Sequence, residues 1–249
     1  MAKIQAFLKR KNIIFSAKRY GIDALGAMAQ GLFCTLLVGT ILNTLGQMGV
    51  GFLNEIVVTV KQNENTLTYT IGGLASAMGG PGIAVAIGMA LGAPGMVLFS
   101  LIPVGFAANA MGGAGGPLAV YFVAIVAAEC GKLVSKETKV DILVTPIVTI
   151  LAGVGIAALV ASPIGKAASA VGTAIMWATE LQPFFMGILV SVIIGIALTL
   201  PISSAAICAA LGLTGLAGGA AVAGCCAQMV GFAVMSFKEN RWGGLVAQG

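Results

Sequence analysis

The sequence predicts an all-α, polytopic integral membrane helix bundle of about 7–8 transmembrane or re-entrant segments, several of them broken at Gly and Pro. Three observations predict it. The 249 residues are 59% hydrophobic and only 8% charged, against about 25% charged in an ordinary soluble domain, so the charges are too few to wet a soluble surface. The apolar stretches run continuously instead of alternating, which argues against a membrane β-barrel. Gly is abundant at 36 but has no three-residue period, which excludes a collagen-like chain.

Residues 1–20 form a basic, amphipathic segment ahead of a single transmembrane domain at 21–249. Six of the thirteen basic residues lie there, namely Lys3, Lys9, Arg10, Lys11, Lys18 and Arg19. A basic run beside a membrane span suits anionic lipid headgroups, not nucleic acid. It also places the N-terminus in the cytoplasm by the positive-inside rule. It is not a cleavable signal peptide, because the following apolar stretch is too long and lacks a clean cleavage site.

A helix needs about 20 apolar residues to cross the hydrocarbon core. The first span is expected at 22–45. Residues 46–66, with Glu55, Lys61 and Glu64, read as an external loop with a short interfacial helix at 50–60. Between 69 and 134 the chain is almost uncharged and is punctuated by GGPG (79–82), GAPG (92–95), Pro103 and GGAGGP (112–117). Three spans fit, near 70–91, 94–111 and 117–134. They return the chain to the cytoplasm at Lys132, Lys136 and Lys139. A fifth span is expected at 140–161, with an exit at 162–166 and an amphipathic stretch over 167–179. An apolar run follows at 184–200, interrupted by Pro201, and two short or re-entrant pieces fit between 205 and 237. Lys238 and Arg241 form a third basic point.

Lipid offers no hydrophobic drive for helix association, so close approach and polar contacts must supply it. Asp23, Ala27, Gly31, Thr35 and Gly39 recur every fourth residue, as do Asp141, Thr145, Thr149, Gly153 and Ala157. Each series reads as a helix–helix seam with an acid at its N-terminal end, where the helix dipole favours it. Glu129 and Lys132, three apart, read as an ion pair near the interface. The five cysteines lie in apolar runs, are odd in number and form no disulfide framework. No histidine is present, which removes Ser-His-Asp catalysis and histidine phosphotransfer. No metal, cofactor or catalytic residue is expected.

Candidate binding residues come from polar groups in apolar surroundings and from Gly/Pro breaks, which inside a membrane must line a cavity or be buried in protein. The breaks singled out are 79–82, 112–117 and 200–204. Glu180 and Gln182 sit with Trp177 just before an apolar run. Acid and amide groups hydrogen-bond hydroxyls while an aromatic face packs on C–H groups, a chemistry suited to a sugar; an interfacial Trp anchor beside a water-exposed Glu is the equal alternative. Ser203, Ser204, Gln228 and Asn109 complete the candidate set.

The strings KRKNIIFSAKRY (9–20), GKLVSKETKVD (131–141), MWATELQPF (176–184), TLPISSAA (199–206) and GCCAQMVGFAV (224–234) resemble bacterial membrane proteins of the phosphotransferase-system EIIC-like group, nearly end to end. The resemblance implies a homodimeric permease component in the bacterial plasma membrane that binds and translocates a sugar or related small polar solute. It also implies that any phosphoryl transfer needs a separate cytoplasmic IIB-type protein, docking near 132–139 and 238–241. Members of the group usually continue past residue 249, so a C-terminal segment is expected to be missing. The group's better-studied permeases bind sugar through a Glu and a His, and this chain offers only the Glu. The alternative is a membrane sensor that binds a fatty acid or lipid without transport.

Overall fold

The computed structural model describes residues 7–62, 65–197, 208, 211, 213–235, 237 and 241. The chain is a multi-pass membrane protein built from apolar helices. Five described helices are long and apolar enough to cross a bilayer: α1 (Lys18–Gln47), α4 (Gly95–Gly112), α5 (Gly116–Val134), α6 (Asp141–Leu181) and α8 (Gly215–Met235). A bent pair, α2 (Ile71–Ala77) and α3 (Gly79–Ala90), makes a sixth span with a 51° break between its halves. Helix α7 (Pro183–Ala197) is apolar but shorter. Large apolar side chains point outward from these helices: Phe99 is 74% exposed, Leu159 76% and Phe184 74%. On water-soluble helices such a surface would aggregate; here it is the lipid-facing surface.

The spans expected at 22–45, 70–91, 94–111 and 117–134 are present within a few residues. Where short or re-entrant pieces were expected between 205 and 237, residues 215–235 form one helix long enough to span, α8, and two further expectations are corrected. The interfacial helix at 50–60 is absent: Gly51–Asn54 forms one 3₁₀ turn, and β1 (Val58–Gln62) then pairs antiparallel with β2 (Asn65–Tyr69). The register runs from Val58 opposite Tyr69 to Gln62 opposite Asn65. Val58, Val60, Leu67 and Tyr69 alternate with polar residues, and this two-residue period overrides the helical one. The second correction is the exit at 162–166. Helix α6 runs through it for 41 residues, with Pro146 and Pro163 inside. At about 1.5 Å per residue it is roughly twice as long as the hydrocarbon core is thick.

The chain divides into two compact units, Met1–Lys166 and Ala167–Gly249. In the first, α1 packs its N-terminal half on α3 and its C-terminal half on α2, while α3, α4 and α5 pack on one another. The four-residue seam on α1 makes these contacts: Ala27 and Gly31 are buried. A Cβ on Gly31 would lie 2.7 Å from Ile83 Cα, and one on Gly39 would lie 2.6 Å from the Gly72 carbonyl oxygen. Helices α3 and α4 cross the same way, for a Cβ on Gly105 would lie 2.5 Å from the Gly80 oxygen. The seam on α6 is equally closed. Thr145, Thr149 and Ala157 are fully buried, and Gly153 admits the side chains of Val104 and Ala127. In the second unit α7 packs on α8 around Val190, Ile194 and Ala221, with Cys208 and Cys225 against them. All five cysteines are free thiols.

Candidate functional site

Two helix ends meet at the basic end of the first unit. The helical turn over residues 7–10 closes with Ile13 N–H donating to the Leu8 carbonyl at 2.9 Å and Asn12 N–H to the Lys9 carbonyl at 3.1 Å. Helix α3 closes identically, Ala93 N–H to Gly88 and Gly92 N–H to Met89, both at 2.9 Å. This paired pattern needs a left-handed residue just past the helix. Asn12 (φ +55°) and Gly92 (φ +63°) supply it. The two caps face each other so closely that a Cβ on Gly92 would lie 2.6 Å from Asn12 Nδ2.

Helix C-termini carry partial negative charge, so two of them together call for cations. Lys132 and Arg19 provide these. Lys132, 2% exposed, donates to the Asn12 carbonyl at 3.1 Å and the Leu91 carbonyl at 3.0 Å. It also pairs with Glu129 at 2.8 Å. Arg19 donates to Asn12 Oδ1 at 3.1 Å and to the Leu91 carbonyl. Tyr20 donates its hydroxyl to the other oxygen of Glu129 at 3.1 Å, and Tyr121 donates to the Tyr20 carbonyl. One buried ammonium thus ties the N-terminal segment, the α3–α4 turn and α5 together.

A more exposed layer lies outside it. Glu137 takes Arg10 at 2.7 Å and Lys11 at 2.6 Å, and Lys11 also donates to the Ser135 carbonyl. The hydrogen bond from Lys11, reinforced by the charge of Arg10, holds the Glu137 carboxyl below the usual range. Asp141 stands in the first turn of α6, where the helix dipole favours an acid, and accepts the Lys136 N–H at 2.8 Å and the Thr145 hydroxyl at 2.5 Å. Between the layers is a pocket of about 420 Å³, faced by Arg10, Lys11, Lys132, Lys136 and Glu137 and floored by the Gly92–Pro94 turn.

The second irregular region lies deeper. Helix α1 changes to π-helical winding over Phe33–Leu37. This stretch packs on α2 and α3 beside their break, with Thr35 against Gly79 and Gly82. Asn109 closes the other side, between Gly80 and Gly116. The break is seven residues into the span, about 10 Å along it. Gly79, Gly80 and Pro81, just past the break, are buried in protein, as broken backbone inside a bilayer must be.

The chain matches the family described as "Phosphotransferase system, EIIC" over residues 22–249. It is a member of that family. No curated protein matches it, and no solved structure does.

In this EIIC chain five of the seven candidate binding residues lie among the described residues, Asn109 in the first unit and Trp177, Glu180, Gln182 and Gln228 in the second. Asn109 is half-buried at the α2–α3 break. Trp177, Glu180 and Gln182 are exposed at the end of α6, Trp177 at 63%. Beside them Thr179 is buried and its hydroxyl bonds back to the Ile175 carbonyl at 2.7 Å. Gln228 is half-buried on α8, close to Gly195 of α7. Ser203 and Ser204, with the break at 200–204, lie outside the described residues. The break at 112–117 does not interrupt a span. It joins α4 to α5 through a 3₁₀ turn, with Gly113 at φ +55°, and Pro117 starts α5.

The Glu129–Lys132 pair was legible as spacing. Its partners Asn12, Arg19, Tyr20 and Leu91 were not. The signals available were the Asn after a helical basic run and the Gly-Ala-Pro after α3, both marks of a helix C-terminus.

Proposed function

We propose that this EIIC chain is the permease component that binds and translocates a sugar or related small polar solute across a bacterial plasma membrane. The single observation that carries the reading is the family match over 22–249, on a chain whose described residues hold five to six apolar spans, one of them broken. Membership supports the permease over the lipid-sensor alternative. Glu180, with Gln182 and Trp177, is the group we assign to solute hydroxyls, because its carboxylate is exposed and adjoins an amide and an aromatic face. Asn109, Gln228, Ser203 and Ser204 are assigned as further polar contacts. Basic residues concentrated at one end of the first unit support a cytoplasmic N-terminus. They also suit docking of a IIB-type protein, which would carry any phosphoryl chemistry, and we take the permease to work as a homodimer.

The test is sugar binding and uptake. Purified protein in liposomes should show saturable uptake of at least one sugar, and calorimetry in detergent should show binding that Glu180→Gln abolishes. Unchanged affinity in that variant removes Glu180 from the site. No saturable uptake of any sugar, with an acyl lipid co-purifying in fixed stoichiometry, overturns the permease in favour of the sensor.

A further inference from the structure

We infer that the pocket at the basic end is a receptor for a phosphate group, presented by an anionic lipid headgroup or by a soluble phosphate compound, and that the protein's own Glu137 competes for it. The observation is a carboxylate already seated as an oxyanion. Glu137 bridges Arg10 at 2.7 Å and Lys11 at 2.6 Å at the rim of a cavity of about 420 Å³. That volume far exceeds what a carboxylate fills. Four cationic side chains face the cavity against Glu137 alone; with Glu129 set against Lys132 and Asp141 beside Lys11 and Lys136, one positive charge is left over while Glu137 is seated and two once it is displaced. A phosphate dianion balances two.

The donors suit that anion. Arg10 is 64% exposed at its side chain, so its planar fork reaches a tetrahedral oxyanion without repacking. Lys11, 9% exposed, is fixed by the Ser135 carbonyl and delivers a positioned ammonium. Lys136 sits on a left-handed turn (φ +61°) whose N–H is engaged by Asp141, which fixes where its side chain starts. Lys132 stays on its carbonyls at the back of the cavity and contributes field. Ile14 and Phe15, 51% and 78% exposed, follow directly in sequence and offer an apolar surface for acyl chains if the phosphate belongs to a lipid. Occupancy would replace the Glu137 link between residues 10–11 and the end of α5 with a link through the anion.

The experiment uses the full chain in detergent and compares wild type, R10Q/K136Q and E137Q. Inorganic phosphate is titrated by calorimetry at constant ionic strength. Retention of phosphatidylglycerol against phosphatidylcholine is counted by native mass spectrometry. Wild type is expected to bind one of the probes saturably, R10Q/K136Q to bind it about tenfold more weakly or worse, and E137Q to bind it severalfold more tightly because the internal rival is gone. Phosphate binding alone assigns a soluble source; selective phosphatidylglycerol retention assigns the lipid. Neither probe binding, or equal binding by wild type and R10Q/K136Q, overturns the inference. If R10Q/K136Q does not fold, E137Q decides: tighter binding sustains the site, and unchanged or weaker binding overturns it.

Discussion

The basic end of the first unit and the deeper level around the α2–α3 break hold the same helices together by opposite means. At the break the contacts are backbone against backbone: Gly31 on Gly82, Gly39 on Gly72, Gly80 on Gly105. At the basic end they are charged groups on carbonyls and carboxylates, through Lys132, Arg19, Lys11 and Arg10. Depth explains the difference. In lipid, association relies on close approach and on polar bonds. An ammonium is costly at the bilayer centre but tolerated near its edge, where water and headgroups help solvate it. Glycine costs nothing in desolvation and therefore serves where charge cannot.

The largest effect should come from breaking the charged brace. Lys132→Met leaves Glu129 without its ion pair and the Asn12 carbonyl without a donor, while the Leu91 carbonyl keeps Arg19, and it should destabilise the protein by about 3–5 kcal/mol. Loss of monodispersity after graded heating in detergent is the readout. A loss under about 1 kcal/mol would mean that the Asn12 carbonyl and Glu129 are solvated without Lys132.

Next is a crossing glycine. Gly105→Ala drives a methyl into the rigid Gly80 backbone and should cost about 1–3 kcal/mol in the same assay. Gly26→Ala is the matched control on α1, because nothing lies within 4 Å of its added Cβ. It should be neutral or stabilise by about 0.5–1 kcal/mol, since Ala is the better helix former. Equal effects at the two positions would remove close approach as the binding principle of this level.

The smallest effect is local and depends on pH. The Glu137 carboxyl is held below its ordinary value, so its contribution is fully present above the unfolded-state value, near pH 4. It is lost as pH falls through the lower folded-state value. Acidification below about pH 4 should raise amide exchange over residues 7–12. In Glu137→Gln that exchange should already be raised at neutral pH and respond little to acid. Identical pH profiles in the two proteins would detach Glu137 from the docking of the segment.

Much of the fold was legible because membrane helices are written in composition. Continuous apolar runs between Gly/Pro breaks placed α1 through α5 within a few residues, and the four-residue seams at Gly31 and Thr149 marked faces that are in fact packed. The hairpin at Val58–Tyr69 was missed because five-residue strands give a weak signal beside long apolar helices. The continuity of α6 was missed because Pro163 reads as a breaker, whereas in an apolar helix neighbouring groups tolerate it. The binding candidates were chosen from sequence neighbours, as the Trp177–Glu180–Gln182 group, the break at 200–204, and single polar residues in apolar runs. Such criteria name candidates such as Asn109 and Glu180 but say nothing of which groups, distant in the chain, share a site.

By itself the sequence determined that this chain crosses a membrane several times as helices, where α1 through α5 start and stop within a few residues, and which end carries the positive charge. Each follows from local composition, since every backbone polar group in lipid must be satisfied within its own segment. Only the tertiary structure decided that Asn12 and Gly92 set two helix ends face to face, and that Lys132 neutralises both. The carbonyls it reaches, of Asn12 and Leu91, lie 120 and 41 positions from Lys132 in the chain, and no local pattern encodes which distant carbonyl an ammonium will reach.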